Sequence, residues 1–138
     1  MTVTIPPDYR PSEHEPFMNP VMVAYFRQRL HQWRSELLSE SMETLLALQG
    51  ENLAEPDDAD RASSETSRSV ELRTRDRARK LISKIDEALE RIEAGTYGYC
   101  EETQEPISIS RLEARPIATL SVEAQERHER MEKTHRDE

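Results

Sequence analysis

Cys100, Thr103, Ser121 and Ala124 stand at the C-x2-C…C-x2-C spacing of a four-ligand zinc site, and only the first of the four positions holds a cysteine. A structural zinc ion needs four soft or nitrogenous ligands, thiolates or imidazoles, in a tetrahedron. One thiolate, two hydroxyls and a methyl group do not supply them. Either the spacing is accidental, or the frame marks a small fold that stands without metal, with packing in place of the cross-link. Tyr97, Tyr99, Ile107, Ile109 and Leu112 are the residues available for that packing. Each buried aliphatic would contribute ~1.5 to 3 kcal/mol. Cys100 is the single cysteine, so an intramolecular disulfide is impossible and a reducing compartment is expected. Its neighbours Glu101 and Glu102 would raise the thiol above its ordinary value, which predicts an inert, packed side chain. His128 and His135, seven residues apart on the last polar segment, are not expected to complete a metal site with it.

These residues must be held by something, and the rest of the chain reads as helix. Asn19 is a good N-cap and Pro20 suits the first helical turn. Val23, Phe26, Leu30, Trp33 and Leu37 then recur at three- and four-residue steps, the seam of a coiled coil, which continues toward Leu45 and Leu48 until Gly50 offers a stop. A second long helix is expected to start near Asp60 or Ala62. Its seam runs through Ala78, Leu81, Ile85, Ala88 or Leu89, and Ile92, and Gly95 ends it. Two helices of about 28 to 34 residues make an antiparallel hairpin roughly 40 to 50 Å long. Ile107-Ser108-Ile109 alternates like a short strand, and a polar helix from Ser121 toward Thr134 has Ser121 as its N-cap. The expected fold is mainly α. It divides into an N-terminal segment over 1–19 that packs with a cap, a coiled coil over 20–95 with its tip near 50–62, and a degenerate finger with the C-terminal helix over 96–138.

Composition narrows the function. With 34% charged against 35% hydrophobic residues in 138, there is little for a broad core, and an elongated molecule is expected. The chain lacks the ~20-residue apolar run that crosses a bilayer, and no export signal opens it, so the expectation is a cytoplasmic protein with no membrane partner. A formal net charge of -9 weighs against non-specific binding to duplex nucleic acid. Three glycines form no phosphate loop, which argues against nucleotide hydrolysis. Asp57, Asp58 and Asp60 crowd the predicted tip. They lack the Gly and bidentate Glu of a calcium loop and a base partner for catalysis, so on local grounds they are a solvated turn in which Asp60 caps the second helix. Arg73, Arg77, Lys80 and Lys84 lie at i, i+4, i+7 and i+11, a cationic stripe beside the seam that is either a solvated face or an anion-reading strip.

Several motifs, in order, carry a resemblance. Ala24-Tyr25-Phe26-Arg27…Leu30…Trp33-Arg34 is followed by Asp57-Asp58-Ala59-Asp60-Arg61-Ala62, a D-x-x-D-x-A pattern. Glu71-Leu72-Arg73-Thr74-Arg75-Asp76-Arg77-Ala78-Arg79-Lys80-Leu81-Ile82 comes next. Tyr97-Gly98-Tyr99-Cys100-Glu101, Pro106-Ile107 and Arg111-Leu112-Glu113-Ala114-Arg115-Pro116 complete it. From about Phe17 to the mid-120s the chain resembles the DksA/TraR family of bacterial RNA polymerase regulators, which normally carries cysteine at all four ligand positions. The resemblance implies a non-enzymatic, monomeric regulator that enters the secondary channel of RNA polymerase and alters promoter-complex stability without contacting DNA. It assigns the tip role to Asp57, Asp60 and Ala62, and polymerase contact to Arg73 and Arg77. It further implies guanosine tetraphosphate (ppGpp) as an effector at the interface with polymerase, with contacts at Leu81, Lys84 and Arg115. A fourth contact, usually lysine in the family, falls on Gln125. Two rival readings are a structural coiled-coil adaptor that oligomerises through its seam and a redox or metal sensor built on Cys100.

Overall fold

The computed structural model describes residues 3–51 and 58–137. In chain order the elements are α1 (Pro20–Glu51), α2 (Asp58–Ala94), α3 (Ile109–Ala114) and α4 (Val122–Asp137). There is no strand among the described residues, only an isolated antiparallel bridge between Tyr99 and Pro106. The helix ends follow their local chemistry. Asn19 Oδ1 accepts from the N–H groups of Val21 and Met22, both at 3.1 Å, and so caps α1. Gly95, at φ 77°, ends α2, and Thr96 N–H returns to the Arg91 carbonyl at 2.9 Å, closing a Schellman turn.

The chain forms two units, one of residues 1–30 with 87–138 and one of residues 31–86. In the first, Met22, Phe26 and Leu30 of α1 are fully buried, as are Ala88 of α2, Leu112 of α3 and Ala124 of α4. The Phe26 ring lies 5.7 Å from that of Tyr97, whose hydroxyl donates to the Pro116 carbonyl at 2.7 Å. Burial pushes the Tyr97 phenol well above its ordinary range. Glu113 gathers α1 against α3. It accepts from Tyr25 Oη at 3.2 Å and pairs with Arg29 Nη1 at 3.1 Å, while Arg29 also reaches the Glu113 carbonyl at 2.8 Å. The N-terminal strap is tied by Tyr9, whose hydroxyl donates to Glu15 Oε1. Burial and that carboxylate push the Tyr9 phenol up to about 12, and the same hydrogen bond pulls Glu15 down.

The second unit is thinner. Ile85 is fully buried, and Leu37 and Ala78 nearly so. Arg34, early in its α1 part, meets Asp86, at the end of its α2 part, at 2.8 Å, so the two helices run antiparallel.

Several expectations are corrected here. α2 begins at Asp58, so Asp60 sits inside the first turn and is not its cap. Met22 enters the buried seam, while Val23, Trp33, Leu81 and Leu89 are only half-buried. Ile107 and Ile109 are both buried, but not as a strand. Ser108 is the N-cap of α3, accepting from Arg111 N–H at 3.3 Å, and Glu13 Oε1 accepts from Ile109 N–H at 2.9 Å. Tyr99 is exposed, and its ring meets that of Phe17 edge-on, with centroids 5.2 Å apart.

Candidate functional site

The four ligand-frame positions come together in the first unit. A tight turn follows Cys100, with Gln104 N–H donating to the Cys100 carbonyl and Cys100 N–H to the Glu105 carbonyl, both at 2.8 Å. Gln104 accepts a left-handed φ of 62° to make it. Glu101 N–H then donates to the Thr119 carbonyl at 2.9 Å, which ties the turn to the segment leading into α4. Ser121 caps α4, its Oγ accepting from Ala124 N–H at 3.2 Å, and the Ala124 methyl is fully buried. The preceding Gly98 has a φ of 90°, a left-handed conformation that favours glycine, and a Cβ there would also displace the end of the Met18 side chain, 2.8 Å away at Cε.

The Cys100 side chain is 1% exposed and lies in a cage of donors. Burial alone would raise the thiol. Hydrogen bonds from the Thr103 hydroxyl and from the N–H groups of Ser121, Thr103 and Glu102 outweigh it and bring the thiol down to about 6. The expectation of a raised thiol is therefore wrong, because the flanking glutamates matter less than donors that the turn and the α4 entry point inward.

Zinc does not fit this donor set. Thr103 gives its hydroxyl proton to sulfur while its oxygen accepts from Glu105 N–H at 3.3 Å, Ser121 caps a helix, and Ala124 has no donor atom. Among the described residues no group of three or more His, Cys, Asp or Glu is placed to hold a metal ion. A feature that spacing did not reveal is Glu102, which reaches α4 by a contact with His128 and an ion pair with Arg127 at 3.9 Å.

The arm candidates are arranged differently. Arg73, Arg77, Lys80 and Lys84 are all exposed along α2. Asp57 lies outside the described residues, and Asp60 and Ala62 are in the first two turns of α2. Acidic side chains near a helix N-terminus are favoured by its dipole. Leu81 is half-buried and belongs with Lys84 to the second unit. Arg115, exposed at the C-cap of α3, and Gln125 belong to the first. The Gln125 amide already donates to Glu129 Oε1 at 3.3 Å.

Together these features define the class: a mainly α-helical protein with two long antiparallel helices and a finger-like segment whose four frame positions are held by hydrogen bonds and packing. Residues 22–92 match the family model described as DnaK suppressor protein DksA, N-terminal domain, and residues 95–130 match the prokaryotic dksA/traR C4-type zinc finger. The chain belongs to the DksA family. It is 67% identical over 130 residues to the RNA polymerase-binding transcription factor DksA of Caulobacter vibrioides, covering 94% of this chain and 92% of that one. With the factor of the same name from Escherichia coli K12 the identity is 44%, over 83% of this chain and 76% of the relative. The solved structure of transcription factor DksA2 from Pseudomonas aeruginosa is also similar, with a TM-score of 0.78 and 43% identity over 85% and 90% of the two chains.

Proposed function

We propose that this protein regulates transcription by binding RNA polymerase directly. The observation that carries the reading is the 67% identity, across 92% of its length, to a relative named as an RNA polymerase-binding factor. The exposed cationic stripe Arg73, Arg77, Lys80, Lys84 supports it, because an acidic chain that presents one basic line on a helix suits a protein partner with local acidic groups better than bulk nucleic acid.

The finer reading rests on the family. The coiled coil over 20–95 enters the secondary channel, Asp57, Asp60 and Ala62 act at its tip, and Arg73 and Arg77 contact polymerase. Leu81, Lys84 and Arg115 contact ppGpp. The regulator is a cytoplasmic monomer, neither an enzyme nor a DNA-binding protein, and it works without zinc. Among the described residues no helix is long and apolar enough to cross a membrane. The test is the lifetime of promoter open complexes formed by purified polymerase, with and without this protein and ppGpp. A lifetime that the protein leaves unchanged overturns the reading.

A second reading, a thiol sensor at Cys100, gains from the acidity of the thiol and loses from its burial. It requires Cys100→Ser to abolish the effect on lifetime, whereas the polymerase reading requires Cys100→Ser to keep it.

A further inference from the structure

Glu113 and Arg115 stand two residues apart at the end of α3, and their charges are held in different ways. Glu113 is half-buried and engaged at both carboxylate oxygens. Tyr25 Oη donates between them, 3.2 Å from each, and Arg29 Nη1 donates to Oε2 at 3.1 Å. Arg29 also donates to the Glu113 carbonyl at 2.8 Å, and its guanidinium carbon lies 6.0 Å from the centre of the Tyr25 ring. Arg115 is exposed, and its guanidinium has no hydrogen-bond or ion-pair partner among the described residues. Its backbone is fixed on both sides: Arg115 N–H donates to the Arg111 carbonyl at 2.8 Å, and Ala118 N–H to the Arg115 carbonyl at 2.9 Å. All these residues belong to the unit of residues 1–30 and 87–138.

Two residues of chain span at most about 7 Å, a gap that an arginine side chain can cross. A Glu113 carboxylate without partners would draw the Arg115 guanidinium to itself, because the two groups match in a bidentate, charge-assisted pair. It would also repel any anion brought to Arg115.

We propose that Arg29 is a positioning residue for the effector contact at Arg115. With Tyr25 assisting, it holds the Glu113 carboxylate against α1, and the Arg115 guanidinium stays free for a phosphate. This inference rests on the reading of Arg115 as a ppGpp contact and names what keeps that contact available. Arg29 and Glu113 are 84 positions apart, so only the fold brings them together. Arg29 also ties α1 to α3, and the two roles part at Glu113. If Arg29 only joins the helices, removing the Glu113 charge as well does not repair its loss. If it keeps the carboxylate from Arg115, removing that charge does.

The test is a ppGpp titration of transcription with the full chain and polymerase whose other ppGpp site is disabled. Arg115→Ala should raise the midpoint. Arg29→Met, similar in length and uncharged, should raise it about threefold, the size of one exposed ion pair, and leave the effect without ppGpp unchanged. The double variant R29M/E113Q should return the midpoint to that of the parent. Tyr25→Phe deletes one hydroxyl and keeps the ring. It should raise the midpoint by a smaller factor, again cancelled by Glu113→Gln, and it carries the test if Arg29→Met does not fold. A midpoint that Arg115→Ala raises and that neither Arg29→Met nor Tyr25→Phe moves overturns the proposal and leaves the effector reading in place. So does a rise that Glu113→Gln fails to cancel, because Arg29 then only joins two helices. A midpoint unmoved by Arg115→Ala ends the effector reading at this residue, and this inference with it.

Discussion

The Cys100 cage and the long helices of the second unit confront the same difficulty, a polar atom taken out of water, and resolve it in opposite ways. Around Cys100 the sulfur receives donors from the Thr103 side chain and from three backbone N–H groups. In the arm, Glu71 Oε2 and Ser41 Oγ receive none among the described residues. A buried polar group that is satisfied specifies one packing, and one that is not leaves room for another. In the first unit the four frame positions are joined by hydrogen bonds and packing, while in the second two polar atoms go without a donor.

The largest effect that would sharpen this contrast is on stability. Leu112→Ala empties a fully buried position of the cap and should cost about 2 to 5 kcal/mol in denaturant unfolding. Leu38→Ala on the arm, at a half-exposed site, should stay within about 0.5 kcal/mol. Comparable losses at the two sites would remove the distinction between a tightly specified cap and a loosely specified arm.

Next in size is an effect on activity. Asp60→Asn removes one charge at the start of α2 without changing shape. The variant should compete for polymerase with near-unchanged affinity and lose most of the effect on open-complex lifetime. Full activity at saturating concentration would show that the arm works without the tip assigned to it.

The cage itself is testable through pH. The folded thiol, at about 6, lies below its ordinary value of 9.0, so above pH 6 the folded chain has released a proton that the unfolded chain still holds. Stability from this source therefore rises with pH, is fully present above about 9 and is lost as pH falls through 6. Between pH 6 and 8 it should add up to about 2 kcal/mol, absent in Cys100→Ser. Chelator should leave the melting curve unchanged at every pH. A Cys100→Ser variant with the same pH slope as the parent would mean that the donors around sulfur do not stabilise a thiolate.

The degree to which all this was legible in the sequence differs between the two regions for a physical reason. Phe26, Leu30, Leu37, Ile85 and Ile92 announce the hairpin because coiled-coil burial is periodic, and Asn19, Gly95 and Ser121 announce its ends because capping is local. Met22 was missed because the four-residue steps to Phe26 and Leu30 shift the seam by one position from Val23. Ile107-Ser108-Ile109 read as a strand because alternation and a capping serine between two buried isoleucines look alike over three residues. The acidity of Cys100 was not legible at all. It depends on amides, including that of Ser121, which only the folded turn and the α4 entry bring to the sulfur.

The smallest expected effect concerns the one inferred effector contact that departs from the family pattern. Gln125 offers an amide where a lysine is usual, and that amide already donates to Glu129 at 3.3 Å. Gln125→Lys would restore the positive charge usual in the family at the position that the resemblance assigns to ppGpp. Charge-assisted hydrogen bonds contribute about 1.5 to 3 kcal/mol, which a partly wet site reduces to roughly 1 kcal/mol. Glu129, four residues along α4, will hold part of the new charge for itself, which places the gain at the lower end. The ppGpp concentration for half-maximal effect should fall about three- to tenfold, with activity in the absence of ppGpp nearly unchanged. Lys84→Ala should move the midpoint the other way. The measurement is a ppGpp titration of transcription from one sensitive promoter, with polymerase whose other ppGpp site is disabled. If neither substitution moves the midpoint, the effector contacts were not inherited with the hairpin, and binding to polymerase stands alone as the function of the arm.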